Sequence, residues 1–281
     1  MMQFKPKVKA LNPKLTQKIQ NILHVNSLTT VCEAAACPNR AECYAKNSAT
    51  FMILGDTCTR ACTFCNVKTG QGNIIDADEP ERLAKAIKEL GLEYVVITSV
   101  DRDDLKDYGA GHFAACVEAI KEKNPTIKVE LLTPDFKYDT KALQTIIQSG
   151  ADKLAHNQET VRRLSKSVRP QSDYERSLHV LRYYAQNFSL HVKSSLMLGL
   201  GETKEELLQT MQELLDVGVS ELTLGQYLQP TQAHHKVEKY YSSEFFDEMK
   251  AEALGMGFRA VASGILVRSS YFAENLGEEN E

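Results

Sequence analysis

Residues 51–67 read FMILGDTCTRACTFCNV, an apolar run that leads directly into three cysteines. These are Cys58, Cys62 and Cys65, spaced Cys-x3-Cys-x2-Cys with no fourth cysteine nearby, and we call them the loop triplet. Three thiolates hold a 4Fe–4S cluster with one iron open, whereas electron-transfer ferredoxins normally close all four irons with cysteine. The spacing therefore indicates a cluster that takes part in chemistry. A structural zinc site fits poorly, because it needs four ligands that usually come as two separated pairs.

The upstream segment VCEAAACPNRAEC carries a second group of cysteines. Cys32, Cys37 and Cys43 are spaced Cys-x4-Cys-x5-Cys, and we call them the N-terminal triplet. It also lacks a fourth cysteine, so the two triplets predict two clusters. A zinc site that combines ligands from both triplets is the alternative, but six thiolates match no ordinary mononuclear site. Cys116, in the helical pattern of residues 112–123, is predicted to be a buried structural thiol.

Composition limits the class of protein. The chain has 281 residues, 43% of them hydrophobic, which is enough for one large α/β domain, with two small domains as the alternative. Its formal net charge of −4 argues against a nucleic-acid-binding protein. We predict neither a membrane span nor a secretory signal, because there is no run of roughly eighteen apolar residues and no apolar N-terminal signal core. A cytoplasmic location is expected, since thiolate ligation of iron needs a reducing compartment.

Hydrophobic periodicity predicts alternating strands and helices, and therefore an α/β fold with a parallel sheet. Six apolar runs predict strands, at residues 51–54, 94–98, 127–132, 152–155, 190–198 and 221–225. Amphipathic patterns predict helices, first in the Lys-rich N-terminal region around Ile19, Ile22 and Leu23 and then near residues 81–90, 112–123, 141–148, 159–164, 174–186 and 205–217. The last helix has a capping box formed by Thr203 and Glu206.

Phe64 completes the pattern Cys-x3-Cys-x-aromatic-Cys after a first strand, which resembles the radical S-adenosylmethionine (SAM) superfamily. CEAAACPNRAEC followed by ATFMILGDTCTRACTFCNV narrows the resemblance to the lipoyl synthase family. Similar segments follow in the same order up to VRSSY, so the resemblance extends over roughly residues 30–272. It implies a partial (β/α)6 TIM-type barrel at residues 51–257, between an N-terminal extension (1–50) that carries the N-terminal triplet and a C-terminal extension (258–281) that carries the RSSY segment.

For activity, the resemblance implies insertion of two sulfur atoms at C6 and C8 of a protein-bound octanoyl chain, with two SAM molecules consumed per product. The loop triplet would hold the 4Fe–4S cluster that cleaves SAM to a 5′-deoxyadenosyl radical, and the N-terminal triplet an auxiliary 4Fe–4S cluster that supplies the sulfur. A radical is needed because an aliphatic C–H bond offers no acidic proton to a general base. By resemblance, a serine of the RSSY segment is the auxiliary cluster's fourth ligand. Ser270 is expected, with Ser269 as the alternative ligand and a polar tail packed over the barrel mouth as the alternative role.

Polar residues at the carboxyl ends of the predicted strands are candidate SAM contacts, because barrel enzymes place their active sites there. Ser99 follows the second strand and by resemblance contacts the amino group of SAM, with a capped turn as the alternative. Asn157 and Glu159 follow the fourth strand, and Glu159 is a candidate for the ribose. Phe64 and Gly199 complete the set. Gly199 lies in SLMLGLGE, which resembles the superfamily's Gly-x-Ile-x-Gly-x-x-Glu stretch beside the adenine, with its first glycine replaced by serine.

The resemblance implies octanoylated lipoyl-carrier domains as partners, such as the 2-oxoacid dehydrogenase E2 subunit and the glycine cleavage H protein, and an electron donor such as ferredoxin or flavodoxin. One alternative function is a sulfur-inserting enzyme resembling biotin synthase, which acts on a small molecule and has no use for the N-terminal triplet. A second is a non-catalytic iron–sulfur or zinc module that cleaves no SAM.

Two groups of basic residues are predicted to have no role in the site. His234 and His235 are predicted to lie in a surface loop, because adjacent side chains rarely converge on one metal. Arg162, Arg163 and Arg169 are predicted to face water, as exposed helix arginines usually do, with contact to a carboxylate as the alternative.

Overall fold

The structure is a computed structural model that describes residues 13–46, 48–271 and 273–276. It contains two compact units. Within the described residues, the N-terminal unit consists of residues 13–60 and 66–154, and the C-terminal unit consists of residues 61–65 and 155–276. No helix in the described part of the chain is long and apolar enough to cross a membrane.

The N-terminal unit contains six α-helices and seven strands among its described residues. The helices are α1 (Pro13–Val25), α2 (Val31–Ala34), α3 (Arg40–Ala45), α4 (Glu79–Leu90), α5 (Ala110–Lys123) and α6 (Thr140–Ile147). The strands are β1 (Thr29–Thr30), β2 (Thr50–Ile53), β3 (Thr57–Cys58), β4 (Lys68–Thr69), β5 (Tyr94–Ser99), β6 (Lys128–Leu132) and β7 (Lys153–Ala155), whose last residue belongs to the C-terminal unit. Their order is β1-β2-β5-β6-β7, and β3 pairs with β4 in a separate two-stranded sheet. β2, β5 and β6 are parallel, whereas β1 is antiparallel to β2.

The sequence of this unit explains its helices. In α4, Leu83, Ile87 and Leu90 are buried on one face, and Gly91 ends the helix with a φ of +68°, a conformation that glycine adopts at little cost. Ile19 on α1 and Cys116 on α5 are fully buried, which confirms both predictions.

The end of β2 turns the chain toward the loop triplet. Leu54 and Gly55 have φ values of +68° and +94°, so the strand cannot continue through them. The amide of Leu54 donates to Glu79 Oε2 at 3.0 Å, and the same oxygen lies 2.6 Å from His112 Nε2. A buried carboxylate–imidazole pair therefore fixes the direction in which the chain leaves the strand.

The C-terminal unit repeats the strand–helix alternation. Its described elements are α7 (Arg162–Val168), α8 (Tyr174–Asn187), β8 (Val192–Leu198), α9 (Lys204–Asp216), β9 (Glu221–Gln226), α10 (Ser243–Met256) and β10 (Ala260–Gly264). β9 lies between β8 and β10 and is parallel to both. The Thr203–Glu206 capping box is present at the start of α9, as predicted.

All six predicted strands are present, but two parts of the prediction need correction. The helix predicted at residues 159–164 begins only at Arg162, because Glu159 has a φ of +68° and forms a parallel bridge with Leu196 instead. A seventh parallel strand, β10, and the helix α10 before it were not predicted. The predicted extensions at residues 1–50 and 258–281 lie partly outside the described residues, and the three domain boundaries remain a prediction.

Candidate functional site

The first half of the cysteine loop is held within the N-terminal unit. Cys58 ends β3, and its carbonyl accepts a hydrogen bond from the amide of Gly70 at 2.9 Å. The amide of Arg60 points toward Cys58 Sγ at 3.4 Å, and the thiol lies 3.7 Å from Asp101 Oδ2. Backbone donors near a thiolate stabilise its negative charge, so this environment suits a metal-bound sulfur.

Arg60, between the first two cysteines of the loop triplet, is a buried anchor. Its side chain is 1% exposed and contacts three carboxylates that follow β5 and β6. Nη1 lies 3.2 Å from Asp101, Nε and Nη2 donate to Asp103 at 2.8 and 2.7 Å, and Nη2 also donates to Asp135 at 2.7 Å. Burial disfavours the charge, but these carboxylates raise the pKa of Arg60, so it stays ionised. Sequence reasoning missed this residue.

The second half of the loop is held within the C-terminal unit. The amide of Cys65 donates to Cys62 O at 3.1 Å, which closes a tight turn. Thr63 donates from its amide to Val168 O at 2.9 Å, at the end of α7, and accepts at its own carbonyl from the amide of His235 at 2.8 Å. Each backbone bond is local to this unit, so the positions of the second and third cysteines follow from its own packing.

Phe64 lies in an apolar cluster of the C-terminal unit. Its side chain packs against the buried residues Val161, Leu164, Val168, Leu200 and Tyr227. This contact gives the aromatic position of the motif a structural role that does not depend on a cofactor.

The N-terminal triplet lies on two short helices and the turn between them. Cys32 on α2 and Cys43 on α3 are buried, whereas Cys37 between the helices is partly exposed. The amide of Cys37 donates to Cys32 O at 3.1 Å. Burial raises the pKa of the Cys32 thiol to about 11. Asn66, next to the loop triplet, donates from Nδ2 to Ala34 O at 3.0 Å. This hydrogen bond joins the residue after the loop triplet to the last residue of α2.

The donor set fits iron–sulfur ligation, because each triplet offers three thiols within one short segment. Among the described residues, no three Cys, His, Asp or Glu side chains already lie together as a metal site.

Candidate SAM contacts lie at strand ends, as predicted. Ser99 ends β5, and its hydroxyl is buried with no hydrogen-bond partner among the described residues, which fits a site completed by a polar ligand. In the C-terminal unit, Asn157 Nδ2 donates to Glu159 Oε1 at 3.1 Å. Burial raises the pKa of Glu159, and the nearby charge of Arg169 and the Asn157 bond only partly oppose this effect.

Gly199 is required by the packing of the chain itself. Its φ is +101°, and an added Cβ would lie 2.2 Å from Gln226 Nε2 and 2.4 Å from Lys239 O. The amides of Gly199 and Leu200 both donate to the buried carboxylate of Glu202, at 2.6 and 2.9 Å. The stretch that resembles the adenine-side motif is thus a rigid turn.

The RSSY segment forms a turn in which the amide of Tyr271 donates to Arg268 O at 3.0 Å. Ser269 is anchored twice, because its hydroxyl donates to Asn157 Oδ1 at 3.2 Å and its carbonyl accepts from the ammonium of Lys193 at 2.8 Å. Lys193 is fully buried on β8. Ser270 is the next residue of the same turn, partly buried.

One of the basic residues contradicts the prediction. Arg169 is 7% exposed and donates to the carbonyls of Asn157 and Gln158 at 3.4 and 3.2 Å, so the expectation that it faces water is wrong. Arg162 and Arg163 are about half exposed and form ion pairs with the carboxylates Glu175, Glu213 and Glu206. His234 and His235 do lie in a loop, but both are only partly exposed and both bond to neighbouring segments.

Comparisons with known proteins identify the family. Residues 52–214 match the Radical SAM superfamily. The chain is 48% identical over 279 residues to a lipoyl synthase of Caldicellulosiruptor saccharolyticus, an alignment that covers 98% of both chains. It is 52% identical over 260 residues to a lipoyl synthase of Yersinia enterocolitica, covering 92% of this chain and 81% of the relative.

Solved structures agree on the fold. Methylornithine synthase PylB matches with a TM-score of 0.57 at 13% identity, covering 97% of this chain and 84% of that one. The FeFe-hydrogenase maturase HydG from Carboxydothermus hydrogenoformans matches with a TM-score of 0.60 at 14% identity, covering 88% and 65%. These likenesses confirm the predicted α/β fold class of the partial TIM-type barrel. Because the sequence identities extend over nearly the whole chain, the chain belongs to the lipoyl synthase family of the radical SAM superfamily.

Proposed function

We propose that this chain inserts two sulfur atoms at C6 and C8 of an octanoyl group carried on a lysine of a lipoyl-carrier domain, consuming two SAM molecules per product. The observation that carries the proposal is the presence of two separate three-thiol segments in a member of the lipoyl synthase family. When bound, the two 4Fe–4S clusters and SAM supply an electron, a carbon-centred radical and sulfur, none of which protein side chains provide.

Each triplet has its own role in this proposal. The loop triplet holds the cluster that reduces SAM, with three thiols and one iron left for the cofactor. The N-terminal triplet holds the auxiliary cluster that donates sulfur. The burial of Cys32 and Cys43 supports a site that is shielded from solvent, and the Asn66–Ala34 bond supports a short path between the two cysteine segments.

Ser270 is proposed as the fourth ligand of the auxiliary cluster. The hydroxyl and the carbonyl of Ser269 hold the turn in which Ser270 lies. Adjacent residues direct their side chains differently, so fixing Ser269 also fixes the direction of Ser270. A hard alkoxide oxygen is an unusual partner for iron in such clusters, and its weak ligation suits a cluster that must open when sulfur leaves.

The SAM contacts are proposed from the strand ends. The buried hydroxyl of Ser99 needs a partner, which supports its contact with the amino group of the cofactor. Asn157 and Glu159 present an amide and a carboxyl in mutual contact, a pair suited to hydroxyl groups of the ribose. Phe64 and Gly199 shape the site through packing and close backbone approach.

The proposed partners follow from the substrate. An octanoylated E2 subunit or glycine cleavage H protein would supply the acyl chain, and a ferredoxin or flavodoxin in the cytoplasm would supply the electrons. A sulfur-inserting enzyme for a small molecule, similar to biotin synthase, is the second candidate, but it leaves the N-terminal triplet unexplained.

The test compares two triple variants under anaerobic conditions. Both are reconstituted with iron and sulfide, then incubated with SAM, dithionite and an octanoyl-lysine peptide. Replacing Cys58, Cys62 and Cys65 with alanine should abolish formation of 5′-deoxyadenosine. Replacing the N-terminal triplet with alanine should keep it but abolish lipoyl peptide, both measured by mass spectrometry. Lipoyl product from the second variant would refute the assignment of the sulfur donor.

A further inference from the structure

We infer that His234 and His235 are positioning residues that clamp the part of the loop bearing Cys65. The inference rests on the proposed function only in taking the loop triplet as cluster ligands. All contacts that carry it lie within the C-terminal unit.

His234 holds the backbone of the third cysteine directly. Its Nε2 lies 3.1 Å from Cys65 O, and since a carbonyl oxygen only accepts, Nε2 must carry the proton. Nδ1 lies 2.8 Å from Thr231 Oγ1, within hydrogen-bond distance. Both ring nitrogens therefore have partners that fix the orientation of the ring. This arrangement also argues against His234 as a metal ligand, because neither nitrogen has a lone pair to spare.

His235 holds the same loop through its backbone. Its amide donates to Thr63 O at 2.8 Å. Its own position is fixed by two further bonds, since Nε2 donates to Leu200 O at 3.2 Å and its carbonyl accepts from Tyr227 Oη at 2.7 Å. The residue is thus tied to the turn after β8 and to the residue that follows β9.

The two bonds bracket the aromatic position of the motif. Thr63 O and Cys65 O lie on either side of Phe64, whose side chain packs in the apolar cluster around Val161. With both flanking carbonyls held and the partly buried ring between them packed against the apolar cluster, the backbone that carries the third thiol has little freedom to move. A cluster with an open iron has only three protein bonds, so losing the geometry of one thiol should loosen it substantially.

The test uses His234→Leu and His234→Gln in a background in which the N-terminal triplet is replaced by alanine, so that only the loop cluster is measured. Glutamine keeps an N–H donor near the position of Nε2, whereas leucine keeps only the bulk. His191→Leu is the control, because His191 is an exposed histidine of the same unit whose side-chain contact is a long one to Ser220.

The measurements are the rate of iron loss to a chelator and the electron paramagnetic resonance spectrum of the reduced cluster with and without SAM. We expect about tenfold faster iron loss in His234→Leu, since one hydrogen bond contributes roughly that factor. The spectrum of this variant should broaden, and its response to SAM should weaken. His234→Gln and His191→Leu should behave like the parent.

Equal iron loss and equal spectra in His234→Leu and the parent would overturn the inference, and so would a glutamine variant as defective as the leucine one. Thermal unfolding of the same samples detects a leucine variant that fails to fold; in that case the glutamine variant decides alone. If the parent chain makes no lipoyl product but its His234→Leu variant loses the cluster faster than the parent, the proposed function is refuted and the clamp is supported.

Discussion

Replacing Arg60 with methionine tests how the first half of the cysteine loop is held. Arg60 is buried among three carboxylates, of which Asp135 is fully buried and Asp101 and Asp103 are about one-fifth exposed. Methionine keeps an unbranched side chain of similar length but removes the charge. The variant therefore removes the ion pair of the fully buried Asp135 carboxylate, which also accepts from the backbone N–H of Lys137 at 3.0 Å.

The expected loss in the free energy of unfolding follows from the burial of Arg60 and Asp135. Removing one member of a buried ion pair typically costs about 3–5 kcal/mol, because the remaining charge is left without compensation. The two partly exposed carboxylates add less, because solvent screens them. With a urea dependence of about 3 kcal/mol per molar, the midpoint of unfolding should fall by at least about 1 M.

The assay is urea unfolding followed by circular dichroism on the reconstituted protein. Arg82→Met is the matched control, because its pair with Asp76 is exposed and should contribute at most about 1 kcal/mol. Adding Asp135→Asn to Arg60→Met removes the stranded charge and should recover part of the loss. A midpoint for Arg60→Met within 0.3 M of the parent, a margin of about 1 kcal/mol at that slope, would refute the reasoning.

Three further predictions follow from single positions. Gly199→Ala should lower the melting temperature strongly, because its Cβ would meet a nitrogen at 2.2 Å and a carbonyl oxygen at 2.4 Å. The control is Gly255→Ala in α10, which should be neutral or stabilising because its Cβ would meet nothing within 4 Å. Burial opposes the charge of Asp152, but hydrogen bonds from two lysines and a backbone N–H lower its pKa below the ordinary 3.8. The contribution of Asp152 to the free energy of unfolding is therefore present above that pH and is lost on further acidification. Asp152→Asn should reduce this loss of stability at low pH in unfolding experiments. Ser270→Ala should keep SAM cleavage but impair lipoyl formation, and full yield from both Ser270→Ala and Ser269→Ala would refute a serine ligand.

The strands and most helices could be predicted because buried positions recur with a regular period in the sequence. The error at residues 159–161 has a local cause. Glu159 adopts a left-handed φ of +68° and pairs with β8, and a non-glycine residue gives no sequence signal for this. β10 was missed because AVASG is short and rich in small residues, so its apolar signal is weak.

The candidate cysteines stand out in the sequence because their spacing is local, whereas the residues that hold their segments in place could not be predicted. Arg60 meets Asp103 across 43 positions, and Lys193 meets Ser269 across 76. An arginine or lysine in the sequence gives no indication of whether its charge faces water or a carboxylate brought near by the fold. Arg169 shows this most clearly, since its place just after α7 suggested exposure and its guanidinium is buried.

The buried ammonium of Lys193 holds the turn that carries the RSSY segment. Burying a charge costs several kcal/mol unless strong partners compensate it, so a fully buried lysine indicates that the position it fixes is important. It donates to the backbone carbonyl of Ser269, a contact that does not depend on which side chain stands there. The second anchor, from the Ser269 hydroxyl to Asn157, joins the turn to a residue proposed to contact SAM. A shift of this turn would therefore reach Asn157 within the same unit.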